Sequence, residues 1–243
     1  MNRNLEDEEF FNAIMKDHEC LSLQEQRELL ADLASRCSIF SHSSISATTS
    51  ANVYEEEKLP PHLSFLNPPA ELYSELLLFP GSFSPWHKGH EACVLGSGER
   101  AILLIPDFNP WKEKRDTDLW GEFKELYLFT QKNKDLNLFI YTGFLAAKRA
   151  NPTVSWLPKL PLQRKRLLMG DDTYLSVHKW KMAHELLNSI DELYVCPREG
   201  KKEDLKKQNE FLKDQYAIET HFLASHRYEH LSSSAIRSKS NLT

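Results

Sequence analysis

The sequence predicts a doubly wound α/β domain with a mostly parallel sheet, preceded by a helical extension. After about residue 70, short apolar runs alternate with helical segments, which is the pattern of a parallel sheet covered by helices on both faces. Before that point the apolar residues recur at helical spacing. A chain of 243 residues is long enough for one well-packed α/β domain with such an extension.

The predicted extension covers residues 1–58. It contains two apolar stripes at helical spacing, and Ser22 is the expected N-cap of the second helix. Residues 38–50 are then dominated by Ser, Thr and Ala, which predicts a linker. Four prolines follow before residue 70, so the larger domain is predicted at 70–243.

Six short apolar runs in the larger domain are bounded mostly by Gly, Pro, Asp or Asn, as strands are. They are Leu76–Phe79, Ala101–Ile105, Leu136–Tyr141, Leu167–Met169, Leu193–Cys196 and His221–Ala224. Helices are predicted between them, including Trp120–Gln131 and Lys179–Ser189. In such a sheet, ligands bind beyond the carboxyl ends of the strands.

Charge and cysteine usage narrow the class of protein. The formal net charge of −5 argues against a general nucleic-acid or membrane-surface binder, which would carry a basic excess. No apolar run is long enough for a membrane span. The four cysteines are widely spaced without a CxxC pair, so we expect neither a zinc site nor a disulfide framework. These features predict a reduced, cytoplasmic protein.

The first chemical signal follows the first predicted strand, in the segment PGSFSPWHKGH at 80–90. Gly81 and Gly89 allow the backbone to approach a ligand closely, and the turn leads into a helix whose free N–H groups favour phosphate. His87 and His90 lie three residues apart on one side of this turn. They are therefore candidate hydrogen-bond donors to a phosphate that gains charge in a transition state.

This segment closely resembles the GSFDPxHxGH signature of the HIGH-type nucleotidyltransferases. The resemblance implies a Rossmann-like nucleotidyltransferase sheet and ATP binding by Gly81, Ser82, Phe83 and Gly89. It also implies that His87 and His90 are catalytic. The sequence departs from the signature at Ser84, where the family usually has Asp.

The second signal is SSSAIR at 232–237, which resembles the family's second motif, SSTxIR. Serine hydroxyls at a helix start contact phosphate, and an arginine offers a charged fork to it. The resemblance implies that Ser233, Ser234 and Ile236 bind ATP and that Arg237 faces the leaving pyrophosphate as a catalytic residue. The KMSKS-like loop of the aminoacyl-tRNA synthetases, which share the first motif, is not found in the sequence.

The third signal is GDDTYLSVHKWK at 170–181, followed by the segment Ile190–Gly200. Together they look like the GADxL…HKW…VVxRPG block of nicotinate mononucleotide adenylyltransferases. The resemblance implies that Gly170 and Asp172 bind ATP and that Trp180 stacks on the pyridine ring of the mononucleotide. By periodicity alone, Trp180 also fits an apolar helix stripe that packs in the core.

Two shorter matches concern the mononucleotide pocket. Asn109–Lys112 is similar to the family's NPPHK loop, in which a lysine approaches the phosphates, and it makes Lys112 or Lys114 a candidate for mononucleotide binding. Asn151–Leu157 is similar to SYTxDTL, where Thr153 matches and both Ser155 and Trp156 depart. A solvated loop is the alternative for both segments.

The resemblance therefore implies an enzyme that joins ATP and nicotinate mononucleotide, or nicotinamide mononucleotide, with release of pyrophosphate. Mg²⁺ is expected to arrive with ATP, because no carboxylate cluster predicts a metal held by the protein. A nucleotidyltransferase with another phosphate acceptor and a nucleotide-binding regulatory protein are the alternatives. We expect no nucleic-acid or membrane partner, and the oligomeric state, including a homo-oligomer, is left open.

The extension has two interpretations. Two short amphipathic helices are not stable alone, so they must dock on something. Relatives usually continue with another helix after the second motif, whereas this chain has six residues after Arg237. One hypothesis is that the extension packs near Arg237 in place of that helix. The other is a tethered module that binds a partner.

Overall fold

A computed structural model describes residues 5, 7–41, 59–107, 118–147, 150–198, 200–233 and 236–237. The strands are β1 (Leu77–Gly81), β2 (Ala101–Pro106), β3 (Asn137–Ile140), β4 (Arg166–Gly170), β5 (Glu192–Cys196) and β6 (Glu219–Phe222). The helices are α1 (Glu8–Asp17), α2 (Leu23–Ser35), α3 (Ser38–Ser41), α4 (Lys88–Gly96), α5 (Leu119–Lys132), α6 (Gly143–Ala146), α7 (Asp171–Tyr174), α8 (Ala183–Leu187) and α9 (Lys202–Tyr216).

The six strands of the described residues form one parallel sheet in the order β3-β2-β1-β4-β5-β6. The chain builds outward from β1 to β3 and then crosses back to β4, so the strand order reverses between β1 and β4. Ligands bind beside the carboxyl ends of the strands at such a reversal. The predicted doubly wound, Rossmann-like sheet is therefore confirmed.

Side chains alternate between two cores, one on each face of the sheet, because successive strand residues point in opposite directions. In β1, Leu77 and Phe79 belong to the first core, whereas Leu78 and the preceding Leu76 belong to the second. Leu76 through Leu78 are fully buried. This two-sided burial explains why the central strands are continuous apolar runs.

The N-terminal helices pack against the first core. Ser22 caps α2 through a reciprocal capping box with Glu25, as the sequence predicted for this position. On the other side of α2, the buried Thr142 hydroxyl donates to the carbonyl oxygen of Leu30 at 2.7 Å. Arg27 donates to the carbonyl oxygens that end α6. The extension therefore docks on the larger domain, against α5 and α6.

The location of this contact differs from the predicted one. The helices were expected near Arg237, but α2 contacts α5 and α6, whereas Arg237 contacts the turn after β1. The Gln26 amide oxygen accepts from the backbone N–H of Trp120, and His18 contacts Asp118 at 2.8 Å. The extension thus covers the start of α5.

Several predicted elements have different bounds. The predicted helix Lys179–Ser189 is a 3-10 turn at Val177–Lys179 followed by the short α8, because Met182 adopts a left-handed conformation (φ 53°). The last strand begins two residues earlier than predicted, and α9 was not predicted. The start of the predicted linker is α3, while 42–58 lies outside the described residues.

The expectation of four reduced, unpaired cysteines was wrong, because Cys93 and Cys196 form a disulfide across 103 residues of sequence. Cys93 lies in α4 and Cys196 ends β5, so the fold joins positions whose spacing in the sequence gave no sign of it. Within the part of the chain that the structure describes, every helix is too short or too polar to span a bilayer.

Candidate functional site

A cavity of about 590 Å³ opens at the carboxyl ends of β1 and β4, where the strand order reverses. It is lined by the turn after β1, the start of α7, the loop after β5 and the segment at 229–233. The predicted ATP-site residues found in its wall are Gly81, Ser82, Phe83, Gly170, Asp172 and Ser233, together with the predicted catalytic His90. The volume is in the range of small-molecule sites.

The turn after β1 is shaped by close contact between Gly81 and the ring of Phe83. A Cβ at position 81 would lie 2.6 Å from Cε1 of Phe83, so a larger residue would displace the ring. Phe83 itself has φ 41°, in the left-handed region that side chains rarely adopt. Such backbone strain is concentrated at functional sites, and Phe83 lines the cavity.

His87 caps the N-terminus of α4 through its ring. Nδ1 accepts a hydrogen bond from the backbone N–H of Gly89 at 3.1 Å, so the proton of the neutral ring is on Nε2. Among the described residues, Nε2 has no hydrogen-bond partner. Gly89 is required because a Cβ there would lie 2.9 Å from Cε1 of His87. The Nε2–H group of His87 is thus a hydrogen-bond donor that no described residue uses. The ring of His87 stacks on that of His90, with 3.8 Å between the centroids.

The pKa of His87 is lowered to about 4, first by burial and then by the charge of Arg198. The ring is therefore neutral near pH 7, and Nε2–H is a neutral hydrogen-bond donor rather than a cation. A neutral donor stabilises charge that develops on a phosphate without exchanging a proton with it.

The two predicted phosphate-binding segments meet at this turn. Arg237 donates to the carbonyl oxygen of Ser84, and the Ser233 hydroxyl donates to the carbonyl oxygen of Pro85 at 3.1 Å. Ile236 continues the segment, with its N–H bonded to the Ser232 carbonyl. Residues some 150 positions apart are thereby joined at one edge of the cavity. Ser234, also predicted to bind ATP, lies outside the described residues.

Sequence reasoning missed two residues that organise this site. Buried Asp171 accepts from the backbone N–H groups of Arg198 and Gly200 at 2.8 and 2.9 Å and so holds the loop after β5. Arg198 lines the cavity, pairs with Asp172 at 3.2 Å and donates to the carbonyl oxygen of Leu231. The signal was available, because Arg198 lies two residues after a predicted strand that ends at this edge of the sheet.

The predicted mononucleotide residues lie elsewhere. Trp180 is half-buried against the second core, next to Ala183, and is absent from the cavity wall. Thr153 is in a 3-10 turn that packs against α8, so both residues lie on the same side of the sheet. Lys112 lies outside the described residues. The roles of these three residues stay predictions.

One cluster of side chains among the described residues contains atoms that could ligate a metal ion. It is formed by Cys93, Cys196 and His226, whose ligand atoms lie within 4.8 Å of one another. Sulfur and imidazole are not the oxygen donors that Mg²⁺ takes. We therefore assign no Mg²⁺ site to these side chains, and an ion that arrives with ATP stays a prediction.

Several curated relatives match a little more than half of the chain. The chain is 28% identical over 149 residues to a protein of Aquifex aeolicus named "Probable nicotinate-nucleotide adenylyltransferase". This alignment covers 58% of this chain and 85% of the relative. Proteins with the same name are 30% identical in Helicobacter pylori, over 54% of this chain and 79% of the relative, and 28% identical in Leptospira interrogans, over 51% and 67%. No family model matches the chain.

Proposed function

Because the chain belongs to the nicotinate-nucleotide adenylyltransferase family of nucleotidyltransferase enzymes, we propose that it transfers the adenylyl group of ATP to nicotinate mononucleotide. The products are deamido-NAD and pyrophosphate. One observation carries the proposal: Arg237 and Ser233 contact the main chain of the turn that precedes His87, at the edge of the cavity. Two segments suited to phosphate thus face one space.

The reaction needs positioning more than acid–base chemistry. A 5′-phosphate oxygen of the mononucleotide forms a bond to the α-phosphorus of ATP, and the bond from that phosphorus to the pyrophosphate oxygen breaks in line with it. A phosphate monoester loses its second proton near pH 6, so the attacking oxygen is already charged and needs no base. Alignment of the two reactants accounts for much of such a rate enhancement.

The residues at the cavity suit this division of labour. His87 is not among the residues that form the cavity wall. Its Nε2–H is neutral, buried and without a partner among the described residues, and we assign it to donate to an oxygen of the transferring phosphate as charge develops there. His90, stacked on His87, lines the cavity. Arg198 also lines the cavity, and its guanidinium can form paired hydrogen bonds to the leaving pyrophosphate. Arg237 contacts the carbonyl oxygen of Ser84 in the turn, and its catalytic role toward the pyrophosphate stays a prediction.

The acceptor is identified by a panel assay. Pyrophosphate release from ATP and Mg²⁺ is measured with nicotinate mononucleotide, nicotinamide mononucleotide and phosphopantetheine, each with and without enzyme. The proposal expects nicotinate mononucleotide to give the highest kcat/KM. Turnover of phosphopantetheine with both pyridine mononucleotides inert would overturn it. A preference for nicotinamide mononucleotide would retain the reaction and change only the base that is recognised.

A further inference from the structure

One residue of the cavity wall, Cys93, is half of a cysteine pair to which the proposed adenylyl transfer assigns no role. Cys93 lies in α4, whose N-cap is His87, and Cys196 is the last residue of β5, just before the loop of Arg198. Their disulfide, with Cα atoms 5.5 Å apart, connects these two walls of the site. The bond therefore lies where a change in it reaches the nucleotide pocket directly.

The two sulfurs differ in access. Cys93 lines the cavity and keeps 6% of its surface exposed, whereas Cys196 is completely buried. A reagent in solution can therefore reach Cys93 through the nucleotide cavity but has no such route to Cys196. The remaining cysteines give a contrast: Cys20 is exposed in the extension, and burial raises the pKa of the Cys37 thiol to about 12.

His226 is placed to assist the buried cysteine. Its Nε2 lies 3.3 Å from the Cys196 sulfur, while its Nδ1 accepts the backbone N–H of Tyr228 at 3.2 Å. The second contact puts the proton of the neutral ring on Nε2, so the ring donates to the sulfur and does not present a lone pair there. This arrangement suits stabilisation of a thiolate, and it does not suit binding of a metal ion by Nε2.

We propose that Cys93 and Cys196 are a reversible thiol–disulfide exchange site that is entered through the nucleotide cavity, and whose oxidant is a small disulfide. On oxidation, the Cys93 thiolate attacks one sulfur of the small disulfide and releases one thiol. The Cys196 thiolate, held by His226, then attacks the Cys93 sulfur and releases the second thiol. Two protein thiols lose two electrons and two protons, and one small disulfide becomes two thiols.

The cavity route predicts an asymmetry between the two cysteines, tested with oxidised and reduced glutathione as the probe. In the full-length chain with Cys20→Ser and Cys37→Ser, intact mass is followed in oxidised glutathione. Cys196→Ser should retain glutathione on Cys93, whereas Cys93→Ser should retain none under the same conditions. Equal labelling of the two variants would overturn entry at Cys93. A disulfide that reduced glutathione does not open in the folded protein, or a tightly held zinc ion that prevents oxidation, would overturn the exchange site.

The role of His226 as a positioning residue is tested on the same background. His226→Ala should slow closure of the Cys93 mixed disulfide by about tenfold, the scale of one hydrogen bond to a charged group. It should also lower the ultraviolet thiolate absorbance of the reduced protein. His226→Gln retains an N–H donor and should restore part of both. Equal closure rates in all three proteins would remove His226 from the site.

Protection by nucleotide rests on the proposed function and is measured separately. ATP at about ten times its Kd should slow glutathione uptake at Cys93 about tenfold, because only the free fraction of the protein reacts. Equilibrium dialysis establishes whether ATP binds. Uptake that bound ATP does not slow would overturn entry through the cavity. Selective labelling of Cys93 in a protein that binds no ATP would support the thiol site and contradict the proposed function instead.

Discussion

The nucleotide side and the mononucleotide side of the predicted site are built in different ways. On the nucleotide side, six predicted ATP-binding residues and His90 line one cavity, held by main-chain contacts such as that of Arg237 to Ser84. On the other side, Trp180 and Thr153 pack outside that cavity, and Lys112 is not among the described residues. The residues of the short motifs are therefore found together in the structure, whereas the roles of the single side chains on irregular turns stay predictions.

The largest expected effect tests the nucleotide side. His87→Ala removes the available Nε2–H donor, so we expect kcat to fall by about 10²–10³-fold, the usual cost of losing one preorganised donor to a developing charge. The control is His62→Ala, whose ring contacts Leu5 and Phe11 in the extension. Steady-state kinetics on both variants decide the matter. An unchanged kcat in His87→Ala would remove His87 from the catalytic residues.

A smaller effect is expected from Arg198, the residue that sequence reasoning missed. Arg198→Met should raise the KM for ATP about tenfold or more, because a hydrogen bond to a charged group is lost. Arg198→Lys should recover only part of the affinity, since a lysine cannot form the paired contact. The matched control is Arg227→Met, an exposed arginine that lies over the ring of Tyr228. If the control and Arg198→Met raise KM equally, Arg198 is not part of the site.

The mononucleotide side is tested with Trp180. If Trp180 stacks on the pyridine ring, Trp180→Ala should raise the KM for the mononucleotide roughly threefold to tenfold and leave that for ATP nearly unchanged. Trp156→Ala is the comparison for core loss, because Trp156 is only 5% exposed and contacts Phe40 and Phe144. It should cost about 3–5 kcal/mol of unfolding free energy. A Trp180→Ala variant with that stability loss and normal KM values would favour the core interpretation.

The smallest effect concerns the docked extension. Thr142→Val removes the buried hydroxyl that donates to Leu30 but keeps the side-chain shape, so we expect a loss of about 1 kcal/mol in unfolding free energy. Urea denaturation measures the change, and the ATP KM should stay as in the original chain. A stability equal to that of the original chain would mean that this contact does not hold α2 in place.

The sequence predicted the elements in which one pattern dominates. The buried runs of β1 to β5 and the N-cap at Ser22 were identified because burial on both faces and a capped helix leave clear patterns. The bounds of β6 were predicted two residues too late, since this edge strand is only partly buried and its apolar pattern is weak. The Lys179–Ser189 helix failed because a left-handed residue at Met182 has no sequence signal outside Gly and Asn.

The site shows the same division. Gly81 and Gly89 were predicted because each lets the backbone approach a ligand closely. Gly81 lines the cavity, whereas Gly89 lies outside its wall, and each permits a close contact with a neighbouring ring of the protein. Arg198 was overlooked, although it lies two residues after a predicted strand that ends at this edge of the sheet. The Cys93–Cys196 disulfide could not be predicted, because it depends on a distance between α4 and β5 that only the folded sheet sets. The docking face of the extension was wrong for a similar reason. An amphipathic stripe predicts that a helix packs, but not against which surface.

The central claim is that the phosphorus transferred is the α-phosphorus of ATP and that nicotinate mononucleotide receives it. ATP labelled at the α-phosphorus and ATP labelled at the γ-phosphorus are incubated in parallel with the purified chain, Mg²⁺ and nicotinate mononucleotide, and the products are separated by chromatography. We expect the α label in deamido-NAD and the γ label in pyrophosphate. In His87→Ala, the formation of both labelled products should be abolished or strongly reduced. Release of the γ label as inorganic phosphate, with no label in a dinucleotide, would contradict the central claim.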